Sequence, residues 1–153
     1  MKKILLYIIS ACILTSSQLS AQNLQSIEFI NNVADKDKAL YADGINFFML
    51  VTGKKIQSFE ENIRVLNREG ITTGITLTKN SPLRRGALAL MLARYLRLGD
   101  SLFYKIFGTE RYAYRACAAN KLMSYDGSEW ETLSGGELIE IMTNVSELTG
   151  GNE

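Results

Sequence analysis

Residues 83–93 read LRRGALALMLA, and this stretch decides the class of fold. Every residue from Ala87 to Ala93 is apolar, so the segment has no polar face to turn towards water. A helix that is apolar on all sides is usually buried, because neighbouring elements must cover its whole circumference. The stretch therefore predicts a central, buried helix around which the rest of the domain packs.

Capping signals on both sides of this stretch predict further helices. Ser58 and Glu61 stand three residues apart, as do Ser134 and Glu137, and each pair matches the capping box that opens a helix. Pro82 is expected just inside the start of the central helix, which should end near residue 99. The remaining helices are predicted at residues 35–52, capped by Asp35 or Asp37, at residues 100–107, and at residues 109–120, capped by Thr109.

An internal repeat organises these helices into one domain, residues 22–153. When Ile63 is placed over Tyr114, Leu66 falls over Cys117, and each unit reads as helix, loop and longer helix. The two units cover about residues 57–98 and 110–148, and the helix at 35–52 is interpreted as the remnant of a third. Such units cannot bury their apolar faces alone. The sequence thus predicts an all-α fold, a compact bundle of helix-loop-helix repeats.

The loop-to-helix junction of these units resembles that of the S-layer homology module. In that family the motif Ile-Thr-Arg-Ala-Glu precedes an apolar helix, and three modules commonly form a prism that binds cell-wall polymers. By position the first unit supplies Leu83, Arg84, Arg85 and, in place of the glutamate, Ala87. The second unit supplies Leu133, Ser134 and Glu137, with Gly135 in place of the arginine. The resemblance implies two such units, preceded by an amino-terminal helix, and a role in the cell envelope.

The amino terminus has the layout of a secretory signal. Two lysines precede an apolar stretch at residues 4–14, and small residues lead to a cleavage site after Ala21. The apolar stretch is shorter than the roughly 20 residues that span a bilayer, so no membrane span is expected in the mature chain. We expect export to the periplasm or cell envelope. Ile9-Ser10-Ala11-Cys12 leaves an alternative open, a lipoprotein anchored at Cys12.

Composition excludes several classes of function. The chain of 153 residues has 17 Lys and Arg, 16 Asp and Glu, and no histidine, which removes Ser-His-Asp sites and His-ligated metals. We expect no cofactor and no metal. Removing residues 1–21 leaves a net charge of −1, which disfavours nucleic acid, since that affinity comes largely from neutralising phosphates. Cys117, the thiol left in the mature chain, lies among alanines and is predicted to be buried.

Two groups of side chains are candidates for ligand binding. Arg84 and Arg85 stand at the start of the central helix, where free N–H groups already attract anions, and we expect both arginines to be solvated. Arg111 and Arg115, with Tyr112 beside them, are predicted to form a face that binds a sugar or an anion. The alternative for the second group is structural: Tyr112 and Tyr114 pack, and the arginines pair with Glu110 or with a neighbouring helix.

These observations favour a non-catalytic, exported envelope or interaction module that binds an anionic wall polymer or a partner protein of the envelope. The alternative is a small periplasmic hydrolase that uses carboxylates. Its candidate residues surround Trp130 and are Asp126, Glu129 and Glu131. Paired carboxylates can perform acid–base chemistry on glycosidic bonds.

Overall fold

The fold is described by a computed structural model for residues 26–98 and 108–150. Within these ranges the regular elements are helices, and β pairing occurs only as isolated bridges, Leu40 with Pro82 and Arg84 with Thr132. The predicted all-α class is confirmed. The helices are α1 at residues 26–33, α2 at Tyr41–Val51, α3 at Phe59–Arg68, α4 at Arg85–Tyr95, α5 at Glu110–Ala119 and α6 at Gly135–Gly150.

Helix α4 forms the centre of the hydrophobic core. Leu88, Met91 and Leu92 are fully buried, and each such side chain contributes roughly 1.5–3 kcal/mol through burial. Helix α4 packs mainly against α5, while α2 packs against α3 and α6. The prediction of a central, buried helix from the apolar run is therefore confirmed.

The start of α2 differs from the prediction. The helix begins at Tyr41, and neither Asp35 nor Asp37 caps it. Instead the Asp43 carboxylate accepts the backbone N–H of Leu40 at 2.8 Å. An acid inside the first turn closes this helix start, which replaces a cap from the preceding segment.

Both ends of α4 also lie inside the predicted limits. Pro82 does not open the helix but pairs with Leu40 in a β-bridge, and α4 begins at Arg85. The fixed φ of proline suits extended chain as well as a helix start. At the other end the helix stops at Tyr95, because Arg97 adopts a φ of 51° that no right-handed helix can continue.

The predicted capping residues Ser58, Thr109 and Ser134 directly precede α3, α5 and α6. The Ser58 hydroxyl accepts the backbone N–H of Glu61 at 3.2 Å. The second capping box is closed in both directions: Glu137 N–H donates to the Ser134 hydroxyl at 3.2 Å, and Ser134 N–H donates to the Glu137 carboxylate at 2.8 Å. Thr109 precedes α5 as predicted, but its side chain makes no capping hydrogen bond.

The segments that lead into α2, α4 and α6 meet in a closed ring of backbone hydrogen bonds. Leu83 N–H donates to the Ala39 carbonyl at 2.8 Å, Leu133 N–H to the Leu83 carbonyl at 3.0 Å, and Ala39 N–H to the Leu133 carbonyl at 2.8 Å. All three side chains are buried. The ring ties together three helix-loop-helix segments, α1–α2, α3–α4 and α5–α6. Their origin from one repeated sequence stays a prediction.

Some sequence predictions concern residues outside the described ranges. These are the signal segment at residues 1–21, the lipoprotein alternative at Cys12, and the short helix at 100–107. Across the described part of the chain, none of the helices combines the length and the apolar character that crossing a membrane requires.

Candidate functional site

An open cleft of about 670 Å³ lies between α5 and the loop that follows it. Its volume falls within the range of small-molecule binding sites, about 300–1,000 Å³. Arginines and aromatic rings dominate its lining, together with small residues and one carboxylate. The lining residues are Arg111, Tyr114, Arg115, Ala118, Tyr125, Gly127, Ser128, Glu129 and Trp130.

Helix α5 supplies the two arginines of the cleft. Arg111 and Arg115 lie four residues apart, so the helical period places both on the same face, and both are exposed. In residues 26–98 and 108–150 no acidic side chain forms an ion pair with either guanidinium. The structural alternative named Glu110 as their partner, but Glu110 pairs with Arg84.

The tyrosine that lines the cleft is Tyr114 and not the predicted Tyr112. Tyr112 is half-buried and lies outside the lining. Tyr114 is buried, and its hydroxyl donates to the Ser124 carbonyl at 2.7 Å. This bond fastens the loop after α5 to the helix, and it fixes the wall of the cleft.

The loop at residues 124–132 presents two exposed aromatic rings. Tyr125 is 70% exposed and Trp130 is 69% exposed. Side-chain hydroxyls shape the loop: Asp126 N–H donates to the Ser124 hydroxyl at 3.1 Å, and Trp130 N–H donates to the Ser128 hydroxyl at 3.3 Å. Both rings line the same cleft, which makes this part of the loop the candidate contact surface.

The amino end of α4 does not offer free N–H groups to a ligand. Arg85 N–H donates to the Glu131 carbonyl at 2.8 Å, and Gly86 N–H donates to the Glu129 carbonyl at 2.9 Å. The carbonyls on either side of Trp130 thus occupy the donors that a helix start normally leaves open. These two N–H groups are therefore not available to an anion, because the loop occupies them.

The Arg85 side chain is largely covered and links α4 to the loop and to α6. Its side chain is 15% exposed and forms ion pairs with Glu137 and, at 3.7 Å, with Glu131. It also donates to the Asp126 carbonyl at 3.2 Å. The expectation that Arg85 is solvated is therefore wrong. Its guanidinium holds the loop at residues 124–132 against the capping box of α6.

Arg84 is likewise engaged with neighbouring side chains. It pairs with Glu110 at 2.9 Å, and its guanidinium carbon lies 5.4 Å from the centre of the Trp130 ring. The pKa of the guanidinium is raised above its ordinary value, first by a hydrogen bond with Tyr41 and then by the charge of Glu110, against the opposing effect of burial. Arg84 therefore stays charged, and its guanidinium lies against the Trp130 ring, which lines the cleft.

The glutamates proposed for hydrolysis have different surroundings. Glu129 lines the cleft, whereas Glu131 is directed towards Arg85. Over residues 26–98 and 108–150 there is also no cluster of three potential metal ligands. Cys117 is buried as predicted, and burial raises the pKa of its thiol to about 12.

The sequence placed Tyr114 between Arg111 and Arg115, but it did not assign Tyr125 or Trp130 to a binding surface. A lone tryptophan in a polar loop was the available signal. In the comparisons with known proteins, no family model, curated protein or solved structure matches the chain.

Proposed function

We propose that the protein is a non-catalytic module of the cell envelope whose cleft binds an acidic saccharide polymer. The observation that carries this proposal is the pairing of two exposed rings, Tyr125 and Trp130, with the arginines of α5. Aromatic faces stack on the apolar faces of sugar rings, and guanidinium groups bind carboxylates or phosphates in a bidentate manner. An open cleft of this kind suits a chain that continues beyond the site on both sides.

The hydrogen-bonded ring at Ala39, Leu83 and Leu133 supports the same proposal. It joins three helix-loop-helix segments, and three is also the number of modules in the prism of the S-layer homology family. The signal-like amino terminus supports export to the compartment where such polymers occur. The proposed ligand contacts differ from those of the sequence prediction, because Arg84 and Arg85 support the loop.

The absence of catalysis is part of the proposal. Glycoside hydrolysis generally requires two carboxylates that flank the bond. Among the three carboxylates selected from the sequence, Glu129 lines the cleft, and the Glu131 carboxylate lies 3.7 Å from the Arg85 guanidinium. Shortening of an oligogalacturonate probe by the wild-type protein would reject this part of the proposal and favour the hydrolase.

The binding test uses sedimentation with a purified envelope preparation over a series of salt concentrations. Exposed charge contacts are screened, with a Debye length of about 8 Å at physiological ionic strength, so retention should fall as salt rises. Replacing Arg111 and Arg115 together with alanine should weaken retention about tenfold or more, since each loses a charged hydrogen bond.

A matched control is available on α3. Arg64 and Arg68 are exposed and also lie four residues apart, so their double alanine variant removes the same charge at the same spacing. Retention of this control at the wild-type level would support the cleft as the site. An equal loss in both double variants would indicate unspecific charge attraction, and no loss in either would reject the proposal.

A further inference from the structure

The Trp130 ring lines the cleft and also contacts the guanidinium of Arg84. The ring lines the cleft and is 69% exposed, while the guanidinium carbon of Arg84 lies 5.4 Å from its centre. This distance is within the range of about 6 Å over which a cation attracts an aromatic face. One face of the indole is therefore occupied, and the ring still reaches the cleft.

The backbone on both sides of Trp130 is anchored to the same helix start. The carbonyls of Glu129 and Glu131 accept the first N–H groups of α4, from Gly86 at 2.9 Å and Arg85 at 2.8 Å. These bonds fix the position of the Trp130 backbone but leave its side-chain torsions free. The contact with Arg84 is the interaction in the described residues that restrains the ring itself.

Arg84 in turn is held by another unit of the bundle. Glu110, at the first position of α5, accepts its guanidinium at 2.9 Å. At Gly86 there is no room for a side chain without a shift of its neighbours, because an added Cβ would lie 2.9 Å from the Cβ atoms of both Glu110 and Glu129. The start of α4, Glu110 and the loop are therefore in close contact, and the guanidinium is placed before any ligand arrives.

We infer that Arg84 is a positioning residue, which holds Trp130 with one face against its guanidinium and the opposite face open for a saccharide ring. This inference rests on the proposed function and deepens it. A ring that is already ordered loses less conformational freedom when a ligand stacks on it, so binding is tighter. Arg84 itself contacts the indole and not the ligand, in contrast to the role that the sequence suggested.

The chain contains one tryptophan, so its fluorescence reports on Trp130 alone. The first measurement is made without ligand, by anisotropy and by acrylamide quenching. Arg84→Met keeps an unbranched apolar stem and removes the guanidinium, and it should lower the anisotropy and increase the quenching. Arg84→Lys keeps the charge without the planar fork and should give intermediate values. Arg64→Met, on the exposed face of α3, is the control and should match the wild type.

The second measurement titrates the same variants with oligogalacturonate, with neutral dextran as the comparison. Oligogalacturonate carries a carboxylate on each sugar ring, and dextran has the rings without the charge. Loss of the contact between Arg84 and Trp130 should weaken oligogalacturonate binding about two- to fivefold. Glu110→Gln provides a second variant that leaves Arg84 in place and weakens its brace by removing the charge of the ion pair. Circular dichroism checks that each variant folds.

The outcomes separate the inference from the function on which it rests. A more mobile Trp130 together with weaker oligogalacturonate binding supports the role of Arg84. An unchanged ring in Arg84→Met and Glu110→Gln overturns it, and so does a mobile ring with unchanged affinity. If the wild type binds neither probe, the proposed function is rejected, and the role of Arg84 in binding is rejected with it.

Discussion

Two adjacent glycines at the start of α6 should respond in opposite ways to the same substitution. In Gly135→Ala the added Cβ would lie 1.7 Å from the carbonyl oxygen of Val33. An ordinary contact needs about 3.5 Å, so the end of α1 must withdraw by roughly 1.5–2 Å. In Gly136→Ala the added Cβ meets no atom of the described residues within 4 Å.

The magnitude follows from three contributions. Forcing an atom into packed structure costs about 1–3 kcal/mol, and this movement also stretches the bond from Gly135 N–H to the Lys36 carbonyl, now 2.8 Å, which costs about 0.5–1.5 kcal/mol. Replacing glycine restores about 0.4–1 kcal/mol by restricting the unfolded chain. Gly135→Ala should therefore lower the free energy of unfolding by about 0.5–4 kcal/mol, with a central value near 2 kcal/mol. Gly136→Ala should raise it by about 0.4–1 kcal/mol.

Urea denaturation followed by circular dichroism at 222 nm measures both variants against the wild type. In thermal scans the two variants should differ by roughly 6–12 °C, at about 2–4 °C for each kcal/mol in a chain of this size. A Gly135→Ala variant as stable as the wild type would refute the close approach of α1 to α6. Equal destabilisation by both substitutions would show that the helix start itself, and not the contact with Val33, requires glycine.

Three further outcomes are expected. Ser58→Ala and Ser134→Ala should each lower the free energy of unfolding by about 0.5–2 kcal/mol in urea denaturation. The loss should be larger at Ser134, because its capping box is closed in both directions. Two unchanged denaturation midpoints would contradict these helix starts. Burial raises the pKa of the Cys117 thiol from 9.0 to about 12, so between these pH values the thiol ionises in the unfolded chain but not in the folded one. The free energy of unfolding should therefore fall from pH 9 towards pH 12, by up to about 1.4 kcal/mol per pH unit. Cys117→Ala should remove this contribution to the pH dependence. Amino-terminal sequencing of the protein from cells should begin at Gln22, whereas a lipid-modified Cys12 at the first position would establish the lipoprotein alternative.

The sequence alone determined the features that depend on neighbours along the chain. The apolar run at residues 87–93 predicted the buried helix α4, because a helix formed by this run has no polar face to turn towards solvent. Ser58 and Ser134 marked helix starts correctly, since a capping bond joins residues three apart and forms with the first turn. Arg111 and Arg115 were identified because the helical period alone places them on one face.

Only the tertiary structure decided the roles of Arg84, Arg85 and Gly135. Arg84 meets a partner 26 residues away and Arg85 one 52 residues away, and no local rule selects such partners among the acids of the chain. At Gly135 the end of α1 occupies the space that any side chain would need. The physical reason is common to all three. Helix propensity and capping act within one turn, whereas ion pairing and close packing depend on which segments the closed backbone ring brings together.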